Sequence, residues 1–391
     1  MKVMILHAGY RVPAGEDTVV ANEAAALLAG GHDVRTHVVA NPNALGAAVR
    51  ALAKSFNNRD AAAFVTDEIA DFEPDIIHNH NTWFALSSSV ASAAAATGTP
   101  TVMTIHNYRL GCLGADLFRG DSVCTACVGR APLPGVIHGC YRGSRLLSLV
   151  AASELMITRR RGVFTDNIDR FVAPSGFVAD RLLDIGLPAE RITVKPHFVA
   201  DCGPRTAPPS ASNEVVYIGR LAPGKGLQTL LRAWERFCSS ARHPDVADLS
   251  LTIIGDGPLA SELKESAPRG VTFEGWLTRD EVMERLLRAR AFVFPSAWYE
   301  PFGMVLVEAL SAGVAMVVTN ASEAPVITAA PPELIAPVDD DAAFAAAIGR
   351  LDDATVDRVG AANRHRFETH YTEAIGLERL ETLYRDVIDN G

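Results

Sequence analysis

Apolar positions along the chain fall into two repeating patterns. Short apolar runs (VMIL, DVRTHVV, DIIH, TVMTIH, FVAPS and ITVKP) alternate with stretches of helical spacing such as residues 18–28. This strand, helix, strand rhythm predicts a parallel sheet covered on both faces. After Pro196 the periodicity lapses in DCGPRTAPPSASN, which reads as a Pro/Ser/Ala-rich linker. It restarts with EVVYIGR, LSLTIIG, VTFEGW, AFVFPS and AMVVTN. The expected architecture is α/β, with two Rossmann-like domains over residues 1–197 and 213–371. An acidic amphipathic helix within 372–391 could cap either domain, including by crossing back to the first.

Composition narrows the function classes. At 391 residues the chain exceeds one ordinary core, and 48% hydrophobic with 21% charged residues marks it as globular. A net charge of −10 argues against duplex nucleic acid, which requires a basic face. The opening MKVMILHAGY is broken by His7, Gly9 and Tyr10, so no signal-peptide core forms, and no uncharged apolar run reaches membrane-spanning length. A cytoplasmic protein is expected. Arg142, Arg145 and the arginines at 159–161 make a basic stretch that reads as solvated surface, with a peripheral membrane contact as the alternative. Five lysines against 31 arginines is a bias typical of a GC-rich bacterial genome.

Ligands of open parallel sheets bind beyond the carboxyl ends of the strands, and two such domains facing each other place the expected site in a cleft. Glu300-Pro-Phe-Gly-Met-Val-Leu-Val-Glu308 spaces two carboxylates eight positions apart around a turn. At a strand-to-helix junction Glu300 lies on the loop and Glu308 about two turns into the helix. Backbone N–H groups between them are free to face an anion. A carboxylate for sugar hydroxyls, donors for phosphate and a second carboxylate for ribose describe a nucleotide-sugar pocket. The competing reading is an amphipathic helix with a solvated Glu at each end.

GRLAPGKG, holding Gly219, Arg220 and Lys225, follows one apolar run and precedes the helical LQTLLRAW. Two cations at a helix mouth suit a diphosphate, although a solvated turn has the same composition and the Walker A spacing is not matched. Gly15 opens a helix and marks a second anion site, without the G-x-G-x-x-G of a dinucleotide fold. His106 ends the run TVMTI, where chemistry is placed in such folds; His78 and His80 are weaker candidates, one of them packing beneath the site.

EPFGMVLVEALSAG, GRLAPGKG, VVYIGR, IIGDGP, VTFEGW and FVFPS together resemble the retaining family 4 glycosyltransferases, which have the GT-B fold. The resemblance covers essentially the whole chain and is most specific in its second half. It implies a nucleotide-diphosphate sugar donor, UDP- or GDP-linked, bound mainly by the second domain, and a small-molecule, glycan or lipid-linked acceptor bound mainly by the first. It also implies that Glu300 contacts the donor sugar, that Phe302, Gly303 and Met304 present backbone to sugar and phosphate, and that Glu308 holds the ribose. Arg220 and Lys225 would stabilise the leaving diphosphate, Gly15 would approach the phosphate, and His106 would touch the transferred sugar. No catalytic metal is expected.

Two departures stand out: Ala14-Gly15 where the family often has Gly-Gly, and Asn320-Ala321-Ser322-Glu323-Ala324-Pro325 where it has G-G-x-x-E. The rival readings are a sugar phosphorylase or nucleotide-sugar epimerase on the same architecture, and a non-catalytic nucleotide-sugar-binding protein. Four of the six cysteines, Cys112, Cys124, Cys127 and Cys140, fall in an insertion over residues 107–145, with His138 nearby. Their spacing suits a structural zinc site, with buried thiols as the alternative.

Overall fold

The computed structural model describes residues 1–9, 15–40, 58–83, 86–240 and 244–390. The chain divides into two compact units, one of Met1–Leu117, Cys124–His197 and Glu373–Gly391, the other of Phe118–Val123 and Phe198–Thr372.

The strands of the first half are β1 (Lys2–Gly9), β2 (Asp33–Ala40), β3 (Ile76–Asn79), β4 (Thr101–Thr104), β5 (Phe118–Arg119), β6 (Ser122–Val123), β7 (Arg170–Ala173) and β8 (Ile192–Val194). The first unit's sheet is parallel in the order β2-β1-β3-β4-β7-β8. Strand order reverses at β1 and β3, the position where open α/β sheets bind ligands. Central β1 and β3 are buried on both faces whereas edge strand β2 is partly exposed along its length, as their positions in the sheet require.

The second unit contains β9 (Glu214–Ile218), β10 (Ser250–Ile254), β11 (Val271–Gly275), β12 (Ala291–Phe294), β13 (Ala315–Thr319) and β14 (Ile335–Ala336). These pair in parallel in the order β11-β10-β9-β12-β13-β14, so the reversal falls between β9 and β12. The helix Leu227–Ser239 after β9 carries Leu227, Leu230, Leu231, Trp234 and Phe237 at helical spacing, and all five are buried. Each such side chain contributes about 1.5–3 kcal/mol by leaving water, which fixes the helix against the sheet. The hairpin of β5 and β6 belongs to this unit, where the Phe118 ring approaches Gly224.

One segment differs from a reading of periodicity alone. The stretch after Pro196 is held chain: Arg205 donates to the carbonyls of Leu286 and Ala289, Arg364 forks onto Asp201, and the Cys202 N–H donates to Ser311. An aperiodic sequence can still be ordered when its carbonyls and carboxylates meet arginines. The final helix, Glu373–Asn390, lies in the first unit and buries Leu380, Leu383, Tyr384 and Val387 there. Glu381 meets His32 at 2.9 Å and Asp386 meets Arg170 at 2.8 Å. No helix among the described residues is long and apolar enough to cross a membrane.

Candidate active site

In the second unit the reversal point between β9 and β12 gathers the turn after one strand and the loop after the other. Gly226 makes this possible. Its φ is +71°, and a Cβ there would sit 1.8 Å from the Pro295 carbonyl oxygen, so only glycine lets the turn lie against the end of β12. The Ala297 N–H donates to the Gly224 carbonyl at 2.7 Å, locking turn to loop. Lys225 is thereby brought onto Glu300, and the two form a charge-assisted hydrogen bond.

Glu300 is only 6% exposed. Ser296 donates to the same carboxylate oxygen at 3.3 Å, and the Lys225 ammonium stands 4.7 Å from the centre of the Trp298 ring. Burial, reinforced by the Glu300 charge, pushes the Tyr217 phenol up, so it stays a neutral donor to the Arg220 carbonyl at 3.3 Å. The site is therefore a nearly buried carboxylate beside one partly buried cation, with Ser296 as a further polar neighbour of the carboxylate. Arg220 itself is exposed, on the same turn.

Glu308 lies in the helix Met304–Ser311, which begins only after Gly303, a residue with φ +83°. It is thus the fifth helical residue, little more than one turn in rather than two, because Pro301-Phe302-Gly303 is spent on the loop. Burial raises the Glu308 carboxyl above its ordinary range while Arg279, 3.7 Å away, opposes the shift. The Phe302 side chain is core, 4% exposed and edge-on to Tyr371, and Met304 is half-buried; both leave their backbone at the helix mouth.

In the first unit the reversal point between β1 and β3 carries a buried array of imidazoles. His7 meets Asp17 at 3.0 Å and accepts from the Asn81 N–H at 3.4 Å, and His78 spans Tyr384 and Thr104 at 2.7 Å each. His106 lies between His80 and His197, with near-parallel rings 5.2 and 5.3 Å apart. His80 Nδ1 and His106 Nε2 are hydrogen-bonded at 2.9 Å. Beneath them the 1%-exposed Glu23 accepts from Lys195 at 2.6 Å and places its other oxygen 3.4 Å from His80 Nε2.

Burial, then the neighbouring His7 and Lys195 charges, holds His106 down to about 3, so it is neutral at physiological pH. Where the His80 proton sits on the Nε2 that faces the Glu23 carboxylate, His80 Nδ1 accepts from His106 Nε2–H and His106 Nδ1 is a lone-pair acceptor. Glu23, His78 and His80 are the one group of three metal-type ligands within 4.8 Å among the described residues. The Lys195 ammonium already neutralises Glu23, so this cluster has no need of a cation.

A pocket beside His106 is lined by Trp83, Arg109 and Glu154 among others. Arg109 stacks over Trp83 at 4.8 Å, and Asn107 donates to Glu16 at 3.1 Å, in the first turn of the helix Gly15–Ala29. Gly15 is the exposed first residue of that helix, while Ala14 lies outside the described residues.

Of the residues singled out from sequence, Lys225 and Glu300 meet, with Gly219, Arg220 and the 302–304 backbone on the same turn and loop. His106 stands in the first unit, with His80 against it and His78 buried below. The partners Glu23, Lys195, Arg279, Ser296 and Glu154 were not legible as site residues, since each is a common residue type whose role depends on a contact distant in sequence.

The first half of the chain, residues 14–201, matches the domain described as Glycosyltransferase Family 4, and residues 212–353 match Glycosyl transferases group 1. Glycogen synthase of Mycobacterium tuberculosis (strain H37Rv) is 30% identical over 254 residues, 64% of this chain and 53% of that relative, so the match spans about half the relative's length. Sucrose-phosphate synthase from Thermosynechococcus elongatus superposes with a TM-score of 0.70 at 16% identity over 100% of both chains. Anabaena Alr3699/HepE, solved with UDP-glucose, superposes with a TM-score of 0.66 at 16% identity over 98% of this chain and 99% of that one. Two domain matches in sequence order, on two parallel-sheet units of this topology, establish that the chain belongs to the family 4 glycosyltransferases of GT-B fold.

Proposed function

We propose that the protein is a retaining hexosyltransferase that moves a sugar from a UDP- or GDP-linked donor to a hydroxyl of an acceptor in a bacterial envelope glycan or secondary metabolite. The observation that carries this reading is the Lys225–Glu300 pair, with Ser296, at the strand-order reversal of the second sheet. In the resting protein each of the two charges neutralises the other. A donor diphosphate would draw Lys225 and the exposed Arg220 onto its oxygens, and Glu300 would then accept from sugar hydroxyls. Glu308 would hold the ribose.

The chemistry needs charge stabilisation more than a base. The bond from the anomeric carbon to the diphosphate oxygen breaks as the acceptor oxygen attacks from the same face. The acceptor proton passes to the departing phosphate oxygen, whose growing charge Lys225 and Arg220 offset. His106, neutral and with Nδ1 as acceptor, would orient a hydroxyl of the transferred sugar. No catalytic metal is assigned a part.

Nucleoside diphosphate release, measured against a panel of UDP- and GDP-sugars and alcohol acceptors, tests the reading. Acceptor-dependent release with an α-linked product from an α-linked donor supports it. Inverted product contradicts the retaining course, and turnover with inorganic phosphate and no nucleotide would identify a phosphorylase instead.

A further inference from the structure

We propose that Cys112, Cys124, Cys127 and Cys140 bind one zinc ion that fixes the loop following His106. The spacing Cys-x11-Cys-x2-Cys-x12-Cys places four thiols in one unit, with no disulfide between any of the six cysteines. A compact pair plus two flanking thiols is the ligand economy of a tetrahedral structural site, and a set of four thiolates selects zinc or an iron–sulfur cluster over harder cations.

The fold brings the thiols into one neighbourhood. A Cβ on Gly114 would lie 3.9 Å from the Cys112 sulfur and 3.7 Å from the Cys140 carbonyl oxygen. The Cys140 N–H donates to the Gly135 carbonyl at 2.9 Å. The sulfurs of Cys112 and Cys124 lie near enough to Cys127 to act on it electrostatically. No three of the sulfurs lie within 4.8 Å of one another, so loading would draw the arms inward.

The backbone supplies an independent argument. Between β4 and the helix Arg145–Arg160 the regular elements are two two-residue strands and the five-residue helix Leu133–Ile137. Three non-glycine residues there, Ala115, Leu117 and Arg142, hold positive φ. Each such residue costs on the order of 1–3 kcal/mol and persists only where surroundings over-determine it. Gly120, Gly129, Gly139 and Gly143, also at positive φ, provide the freedom to close on an ion. Arg159 donates to the carbonyls of Leu110, at 2.6 Å, and Arg130, at 2.9 Å, and acts electrostatically on Cys127. A guanidinium tying both arms together also offsets the negative charge of a tetrathiolate zinc centre.

Protein purified without chelator should contain about one equivalent of zinc by mass spectrometry, with His138→Ala equally loaded because His138 is exposed. The double variant Cys124→Ser/Cys127→Ser should lose it. Cobalt-loaded wild type should show thiolate-to-cobalt charge transfer, a readout that stands even if the double variant fails to fold. The proposal is overturned by less than about a tenth of an equivalent after growth in zinc-rich medium. Visible absorption of an iron–sulfur cluster, a cobalt spectrum without thiolate bands, or a thiol count showing disulfides among these four would overturn it equally.

Discussion

Glu154 offers a quantitative test of the first-unit pocket. It lies on the helix Arg145–Arg160, is 4% exposed, and lines the pocket beside His106. Burial raises its carboxyl from 4.5 to about 7, against the opposing pulls of the Thr158 hydroxyl, which donates at 3.2 Å, and the Arg109 charge. The sign follows from proton counting. Below pH 4.5 the group is protonated in both folded and unfolded chains and contributes no pH dependence. Between 4.5 and about 7 the folded state keeps a proton the unfolded state has lost, so stability falls as pH rises, and it levels above 7. At 1.36 kcal/mol per pH unit the whole interval is worth about 3 kcal/mol. Glu154→Gln keeps an acceptor for Thr158 and cannot ionise. It should therefore match wild type near pH 4.5 and exceed it by about 3 kcal/mol at pH 8, read as the difference between urea unfolding curves at the two pH values. A difference between variant and wild type that stays flat from pH 4.5 to 8 would refute the burial argument.

Other consequences are equally direct. Lys195→Met leaves the buried Glu23 carboxylate facing neutral imidazoles and should cost about 3–5 kcal/mol in urea unfolding, most of it recovered in Glu23→Gln/Lys195→Met. Glu300→Ala should lower kcat by about a hundredfold with little change in nucleotide Kd, whereas Glu308→Ala should weaken nucleotide binding by about tenfold. Unimpaired kinetics in both variants would count against the division of labour between them. Nitrogen-15 NMR at pH 7 should find His106 neutral with its proton on Nε2, and a proton on Nδ1 would break the inferred chain from Glu23 through His80.

What could be read from the chain follows from the range of the forces involved. Strands and their helices are local: the apolar runs VMIL, DIIH and AFVFPS appear as β1, β3 and β12 because period and burial are written into consecutive residues. Lys225 and Glu300 were legible because each sits in a turn with its own glycines. Glu308 was placed a turn too deep, since spacing alone does not reveal that Gly303 delays the helix start. Glu23 and Lys195 are 172 positions apart and His78 and Tyr384 are 306 apart, so only the folded sheet makes these pairs. The arginines that hold the 198–213 stretch are invisible for the same reason.

Isothermal titration of nucleotide sugars into wild type and Lys225→Met bears most directly on the central claim, that the Lys225–Glu300 pair is the donor site. Saturable binding of a UDP- or GDP-sugar by wild type, weakened at least about tenfold in Lys225→Met, is the predicted result. Binding of equal strength in both proteins, or no binding of any nucleotide sugar by wild type, would contradict it.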